Sequence, residues 1–275
     1  MVKKKIPKNI IKYDNIDDAI LNFNYDMVTI ATLPLIQHKI LLKIKKKKLP
    51  NYIFLEKPLL DKTIKILKKS FNQTKYLTNF IFTFHKVWVD LKKKISSRKK
   101  YKSIVYDWFF NQAYFKNKKD TWKIKNKEGG GLVNFYLPHA IFNLLYLDPN
   151  IYLYKVKKKI FYKGILIDLI LILKSDNSLI ELKICNKSKK NLHFLKINYN
   201  KDSLYVSNKS KQWLSNFYCS WLKNKPKNFS YDRQEILNLV YKNFSTYFDK
   251  VFIDKFKPLT YKTFSIIRNI NNSLK

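Results

Sequence analysis

Cysteine, glycine and arginine are all scarce in this chain of 275 residues, and each scarcity removes an explanation. The two cysteines, Cys185 and Cys219, could form at most one bridge, and neither stands in a C-x-x-C or other metal-ligating spacing. Both read as reduced, structural thiols, and no metal site is expected. No apolar run approaches the roughly 18 residues of a membrane span; the run at 165–173 is broken by Asp168. Lys3, Lys4 and Lys5 are followed by Pro7, Lys8 and Asn9 rather than by an apolar stretch, so a secretory signal is not expected and the cytoplasm is the expected location. Arginine is confined to Arg98, Arg233 and Arg268 among 56 basic residues, although base-edge and bidentate phosphate recognition favour arginine. The formal charge of +37 therefore reads as a solvated lysine coat spread over the chain, which gives weak polyanion binding at low salt and no specific nucleic-acid partner.

What the chain does have is a hydrophobic content of 46%, enough to bury a core in one large domain or two modest ones. The run at 25–31 (YDMVTIA) is strand-like, and 35–48 shows apolar residues at helical spacing with a lysine-rich end. A second strand at 52–55, a helix over 61–71 capped by Asp61 and a third buried strand at 80–84 (FIFTF) extend the alternation. Strands alternating with helices at this spacing imply βαβ crossovers and a parallel sheet. A further strand is expected at 102–109 and a helix at 132–147. Short strands at 152–157, 165–173, 179–184, 193–197 and 204–206, separated by polar turns, suggest an antiparallel meander, with helices at 231–248 and 259–270 packing back on the body. The fold class is thus α/β followed by α+β: an incomplete Rossmann-like parallel sheet at 1–85, then a mainly antiparallel open-sheet domain at 86–275.

Glycine is limited to four positions, and three of them adjoin at Gly129, Gly130 and Gly131. Such a cluster implies positive φ or close approach of the backbone to a ligand or strand, with a plain flexible loop as the alternative.

Three segments, in order and spacing, resemble the Gfo/Idh/MocA oxidoreductases. They are Ala31-Thr32-Leu33-Pro34-Leu35-Ile36-Gln37 at the end of a strand, preceded by a short helix at 15–20; Glu56-Lys57-Pro58 at the end of the next strand; and Gly129-Gly130-Gly131 leading to His139. The resemblance implies an NAD(P)-dependent oxidoreductase acting on a sugar, nucleotide-sugar or related polyol. It implies cofactor contacts from Ala31, Thr32, Pro34, Gln37, Glu56 and Lys57, at the strand ends where open α/β sheets bind ligands. Lys57 is the implied proton-transfer group for the reacting hydroxyl, presented by Pro58, with His139 as a second hydrogen-bonding or relay group. Substrate contacts are implied from His85, Lys86, Asn134 and His139. A homo-oligomer formed through the later sheet is also expected.

Two departures qualify this. No glycine precedes Gly129, so the G-x-G-x-x-G turn that holds a dinucleotide pyrophosphate is not among these residues. The chain reads as an amino-terminally truncated form starting near the family's third strand, or as one that has lost dinucleotide binding. Where family members commonly carry an Asp four residues before the histidine and another three after it, this chain has Phe135 and Phe142. A non-catalytic member of the family is therefore the alternative expectation. A basic nucleic-acid binder, with some of its aromatic residues as stacking platforms, ranks third.

Overall fold

Three short β-rich runs, β1 (Met27–Ile30), β2 (Tyr52–Leu55) and β3 (Lys75–Thr78), pair side by side and parallel in the order β1-β2-β3, with Met27 opposite Tyr52 and Tyr52 opposite Lys75. The computed structural model describes residues 10–22, 25–47, 49–71, 73–98, 100–117, 121–176, 178–210, 217–221, 235, 238 and 250–274. A short helix α1 (Ile16–Asn22) precedes β1, α2 (Pro34–Lys45) follows it, and α3 (Asp61–Ser70) joins β2 to β3. Proline opens α2 at a position where its missing N–H costs nothing. Asp61 is the first residue of α3 and not its cap; Leu60 holds that place, and the carboxylate pairs with Lys65 at 3.2 Å one turn on.

The third strand lies upstream of its expected position. Residues 75–78 supply the ladder, and Ile81–Phe84 forms a tight 3-10 turn instead. An apolar run of four or five residues is compatible with either conformation when it is fully buried, and here Phe80 and Phe82 drop into the core from a turn.

The second sheet contains β4 (Ser103–Asn111), β5 (Tyr152–Tyr162), β6 (Ile165–Ser175), β7 (Ser178–Cys185), β8 (Lys187–Asn198), β9 (Ser203–Asn208) and β10 (Tyr218–Cys219), in the order β10-β9-β8-β4-β7-β6-β5. It is not a simple meander. β4 inserts between β7 and β8, parallel to the first and antiparallel to the second. The chain passes from one side of β4 to the other at Asn186, whose side chain donates to Gln112 Oε1 at 3.0 Å while its carbonyl accepts from the Gln112 amide at 2.8 Å. The expected strands are otherwise present, several extended by a few residues.

Alternation along the strands separates the two faces of this sheet. Ile104, Tyr106 and Trp108 of β4, with Ile180, Leu182 and Ile184 of β7, point into the core. On the other face Glu181 lies 2.9 Å from Lys157 and 2.7 Å from Lys183. After the short helix α5 (Ala113–Asn117), the chain reaches α6 (Leu137–Leu147), which with α4 (Lys86–Ser96) covers the buried face; Trp88 of α4 packs on Tyr106 with ring centroids 6.2 Å apart. α6 is apolar nearly all round because it is sandwiched, with the sheet on one side and the last helix, α7 (Lys250–Ser273), on the other, where Phe142 meets Phe256. α7 includes the helix expected at 259–270 and reaches the parallel sheet through Tyr261 on Tyr76. The helix expected at 231–248 lies outside the described residues except for 235 and 238.

Gly129 stands where the two halves touch, and Gly130 and Gly131 lie against the turns at 122–126 of their own half. Gly131 has φ of +81°, and Gly130 lies so close to the turn at 122–123 that an added Cβ would overlap the Trp122 carbonyl oxygen. A Cβ on Gly129 would come 3.1 Å from Pro34 of the parallel half. Gly130→Ala must displace backbone and not a flexible side-chain tip. The variant is expected to lose about 2–3 kcal/mol, lowering Tm by roughly 5–10 °C in a thermal melt; an unchanged Tm would contradict the close approach.

Candidate functional site

Parallel pairing brings the carboxyl ends of β1, β2 and β3 to one edge, and the ladder continues one residue past the strands: the Glu56 amide donates to Ile30 O at 3.0 Å and the Asn79 amide to Leu55 O at 2.8 Å. Gln37, fully buried, donates through Nε2 to the Glu56 carbonyl at 2.7 Å and fixes the turn that follows β2. Glu56 Oε1 accepts from Asn79 Nδ2 at 2.7 Å. Beyond these ends opens a cavity of about 840 Å³, lined on this side by residues that include Ala31, Thr32, Leu33, Glu56, Lys57 and Asn79. The opposite wall comes from the second sheet and α6: Trp108, Phe110 and Gln112 along and just past β4, His193 on β8, and Phe135, Tyr136 and His139 before and within α6.

Lys57 crosses the gap between the halves. Its Nζ lies 3.5 Å from the centroid of the Phe135 ring, over the negative face, and donates to the Phe135 carbonyl at 3.3 Å. His139 is 2% exposed, with the edges of Phe82 and Trp108 against it at 5.4 and 6.2 Å. Burial, then the nearby charge of Lys57 and the second imidazole of His193, holds its pKa well below the ordinary histidine range. His139 is thus a neutral hydrogen-bonding group at physiological pH, and no imidazolium is available there as a proton store.

His193 is the neighbour that sequence reasoning missed. It stands opposite Trp108 in the β4–β8 register, stacks against that ring at 5.4 Å, and is 3% exposed. Its Nε2 is 2.7 Å from the Tyr106 hydroxyl, and burial, followed by the charge of His85, pulls its pKa down to about 3. The available signal was rarity, since the chain has four histidines and this one interrupts an otherwise strand-like stretch.

Of the residues singled out from sequence, Ala31, Thr32, Glu56, Lys57 and His139 line this one cavity. The others lie elsewhere. Pro34 starts α2 and Gln37 is the internal strut just described. His85 is fully buried and caps α4 by accepting from the Val87 amide at 3.2 Å, because the chain turns at 81–84 and points it inward. Lys86 pairs with Asp90 at 3.1 Å on the exposed side of α4. Asn134 donates to Asn126 O at 3.4 Å and accepts from Asn271 at 2.9 Å, bracing the turn before α6 against α7.

A parallel sheet whose strand ends face a second, open mixed sheet across a cleft is an arrangement shared with solved structures. The fold is that of the Gfo/Idh/MocA type, as solved structures indicate. The WlbA dehydrogenase of Bordetella pertussis, solved with NADH and UDP-GlcNAcA, matches with a TM-score of 0.66 at 13% identity over 95% of this chain and 80% of that one. Myo-inositol 2-dehydrogenase of Lactobacillus plantarum matches with 0.65 at 15% identity over 95% and 81%. A super-repressor mutant of Gal80p from Saccharomyces cerevisiae matches with 0.71 at 14% identity over 97% and 83%. At these identities the likeness is one of fold. No family model matches the sequence, and no curated protein is similar to it.

Two buried neutral imidazoles make stability depend on pH in a defined direction. Each has a folded pKa below its unfolded value of about 6.5, so its share of stability is complete above that pH and is lost as pH falls from there towards the folded value. At pH 5 the loss from His193 alone is about 2 kcal/mol. Urea unfolding at pH 7.5 and pH 5 is expected to show at least this difference, with at least two of the four imidazole NMR signals staying in the neutral position down to pH 5; three or more imidazoles titrating near pH 6.5 would refute the burial.

Proposed function

We propose that the chain is an oxidoreductase of the Gfo/Idh/MocA type, using NAD or NADP to act on a sugar, nucleotide-sugar or related polyol, with residues 1–85 as the cofactor half and 86–275 as the substrate half. The observation that carries this reading is the meeting of Lys57, from the end of a parallel strand, and His139, from the substrate half, on one cavity.

The residues present fit part of a nicotinamide dinucleotide. Ala31, Thr32 and Glu56 form a rim at the strand ends, and the cavity of about 840 Å³ has room for a nicotinamide, its ribose and a sugar ring together. The glycine turn for the pyrophosphate is not among these residues. When bound, the nicotinamide supplies the acceptor or donor of a hydride. The chain's own part is to handle the proton. Lys57, a cation at rest, first releases a proton to solvent; as the alcohol carbon gives up hydride and its C=O forms, the neutral amine Nζ takes the hydroxyl proton, and in the reverse direction the ammonium returns it. His139, neutral, holds the same oxygen by a hydrogen bond. Glu56 is tied to Asn79 and serves to position the turn, so Lys57 is the basic group assigned to the reacting oxygen. The aromatic and amide lining excludes water and offers flat apolar faces to a sugar ring.

One observation favours a second reading, a non-catalytic ligand binder on the same fold. Phe135 stands at a position where the family commonly has a carboxylate, and its ring occupies the face of Lys57. A repressor with this fold, Gal80p, supports the same alternative.

Turnover of a panel of nucleotide sugars and polyols, followed by NAD(P)H absorbance, separates the two. The first reading expects activity that Lys57→Met lowers by about a hundredfold or more. Saturable sugar binding without turnover, unaffected by Lys57→Met, would replace it with the second.

A further inference from the structure

Three cavity-lining side chains share an unusual property: each is more than nine-tenths buried, and each has one polar atom secured by the protein and one left over. Asn79 is 4% exposed; its Nδ2 donates to Glu56 Oε1 at 2.7 Å, which leaves Oδ1. Gln112 is 5% exposed; its Oε1 accepts from Asn186 Nδ2 at 3.0 Å, which leaves Nε2. His193 is bonded at Nε2 to the Tyr106 hydroxyl, which leaves Nδ1. Among the described residues none of the three remaining atoms has a hydrogen-bond partner. Buried polar groups are ordinarily paired, and leaving one unpaired forfeits its hydration without return. Three on the walls of one cavity point to something that enters it.

The protein partners also set the chemistry of each free atom. Asn79 Oδ1 is an acceptor and Gln112 Nε2 a donor, because the opposite end of each amide is already assigned. For His193 the proton is assigned through Tyr106. Asn143 Nδ2, 3.4 Å away, donates to the Tyr106 oxygen, which leaves His193 Nε2 as the acceptor within reach of the Tyr106 hydroxyl hydrogen; the opposite tautomer would leave that buried hydrogen without an acceptor among these groups. A neutral imidazole accepting at Nε2 carries its hydrogen on Nδ1, and Nδ1–H is a second donor. The set is two donors and one acceptor, with no formal charge.

We propose that Asn79, Gln112 and His193 form a neutral hydrogen-bonding subsite that takes the hydroxyl or acetamido groups of an uncharged sugar ring lying against the aromatic lining near Trp108. This deepens the sugar-directed reading above and rests on it. Hydroxyl and amide groups each donate and accept, and so satisfy all three atoms. A carboxylate or phosphate brings acceptors only, leaves Asn79 Oδ1 unmatched and sets two lone-pair oxygens against each other. The subsite therefore selects neutral sugars over uronic acids at this end of the ligand.

The test is calorimetric titration of the intact chain with UDP-N-acetylglucosamine, with UDP-N-acetylglucosaminuronic acid and with UDP alone. The neutral sugar is expected to bind more tightly than either of the others. Gln112→Glu, which keeps the oxygen facing Asn186 and turns the free donor into an acceptor, is expected to fold, as read by circular dichroism, and to weaken the neutral sugar about tenfold while leaving UDP unaffected. His193→Phe, which keeps the stacking and removes the donor, is expected to do the same; if it fails to fold, Gln112→Glu decides alone. Saturable binding of the neutral sugar that Gln112→Glu leaves intact, or equal binding of UDP and UDP-N-acetylglucosamine, overturns the subsite and leaves the oxidoreductase reading standing. No saturable binding together with no turnover of any sugar overturns both.

Discussion

Strand β4 is hydrogen-bonded on both edges, to β7 running parallel and to β8 running antiparallel, and that double pairing decides what faces the cleft. It sets Trp108 across from His193, brings Tyr106 within reach of the His193 ring, and leads directly into Gln112, which the crossing chain ties to Asn186. A slip of one residue in this strand would turn Tyr106 and Trp108 to the charged face and bring Asp107 into the aromatic core. Asp107 already sits in a partly dehydrated position, with its pKa raised by burial against the lowering influence of Lys183. Register here is thus enforced from both sides, by apolar burial on one face and by the cost of interring a carboxylate on the other.

The distribution of charge follows the same division. With 19 acidic residues to answer 56 basic ones, the chain has few carboxylates, and several of those it has pair on the surface, as Asp17 does with Lys43 and Asp202 with Arg98. Such pairs contribute little to stability individually. What they leave undisturbed is an interior held by aromatic and aliphatic packing, in which His139 and His193 stay neutral. The cleft inherits that character: its lining is largely rings and amides, with Lys57 as a cation set against a π-face.

The parallel half was largely legible, because short apolar runs alternating with amphipathic helices leave little choice of topology, and the tripeptide at 56–58 and the glycines at 129–131 marked two of the segments that meet. The third strand was misplaced by a few residues because FIFTF and KYLT are both plausible strands and only the register against β2 chooses between them. The position of β4 was not readable at all. A strand distant in sequence that inserts between two consecutive ones leaves no periodic trace, and everything that depends on it, from the Trp108 and His193 pairing to the clamped amide of Gln112, stayed hidden for the same reason. His85 and Lys86 were offered as binding residues because they follow an apolar run; the tight turn at 81–84 sends the first inward as a helix cap and the second out to solvent.

The seam at Gly129 bears on how a ligand would enter. Where a methyl group on Gly129 would press on Pro34, the segment leading to α6 and the first turn of α2 have no slack to shear past each other. Widening of the gap is easiest on the side farthest from this contact, as a door opens most at the edge away from its post.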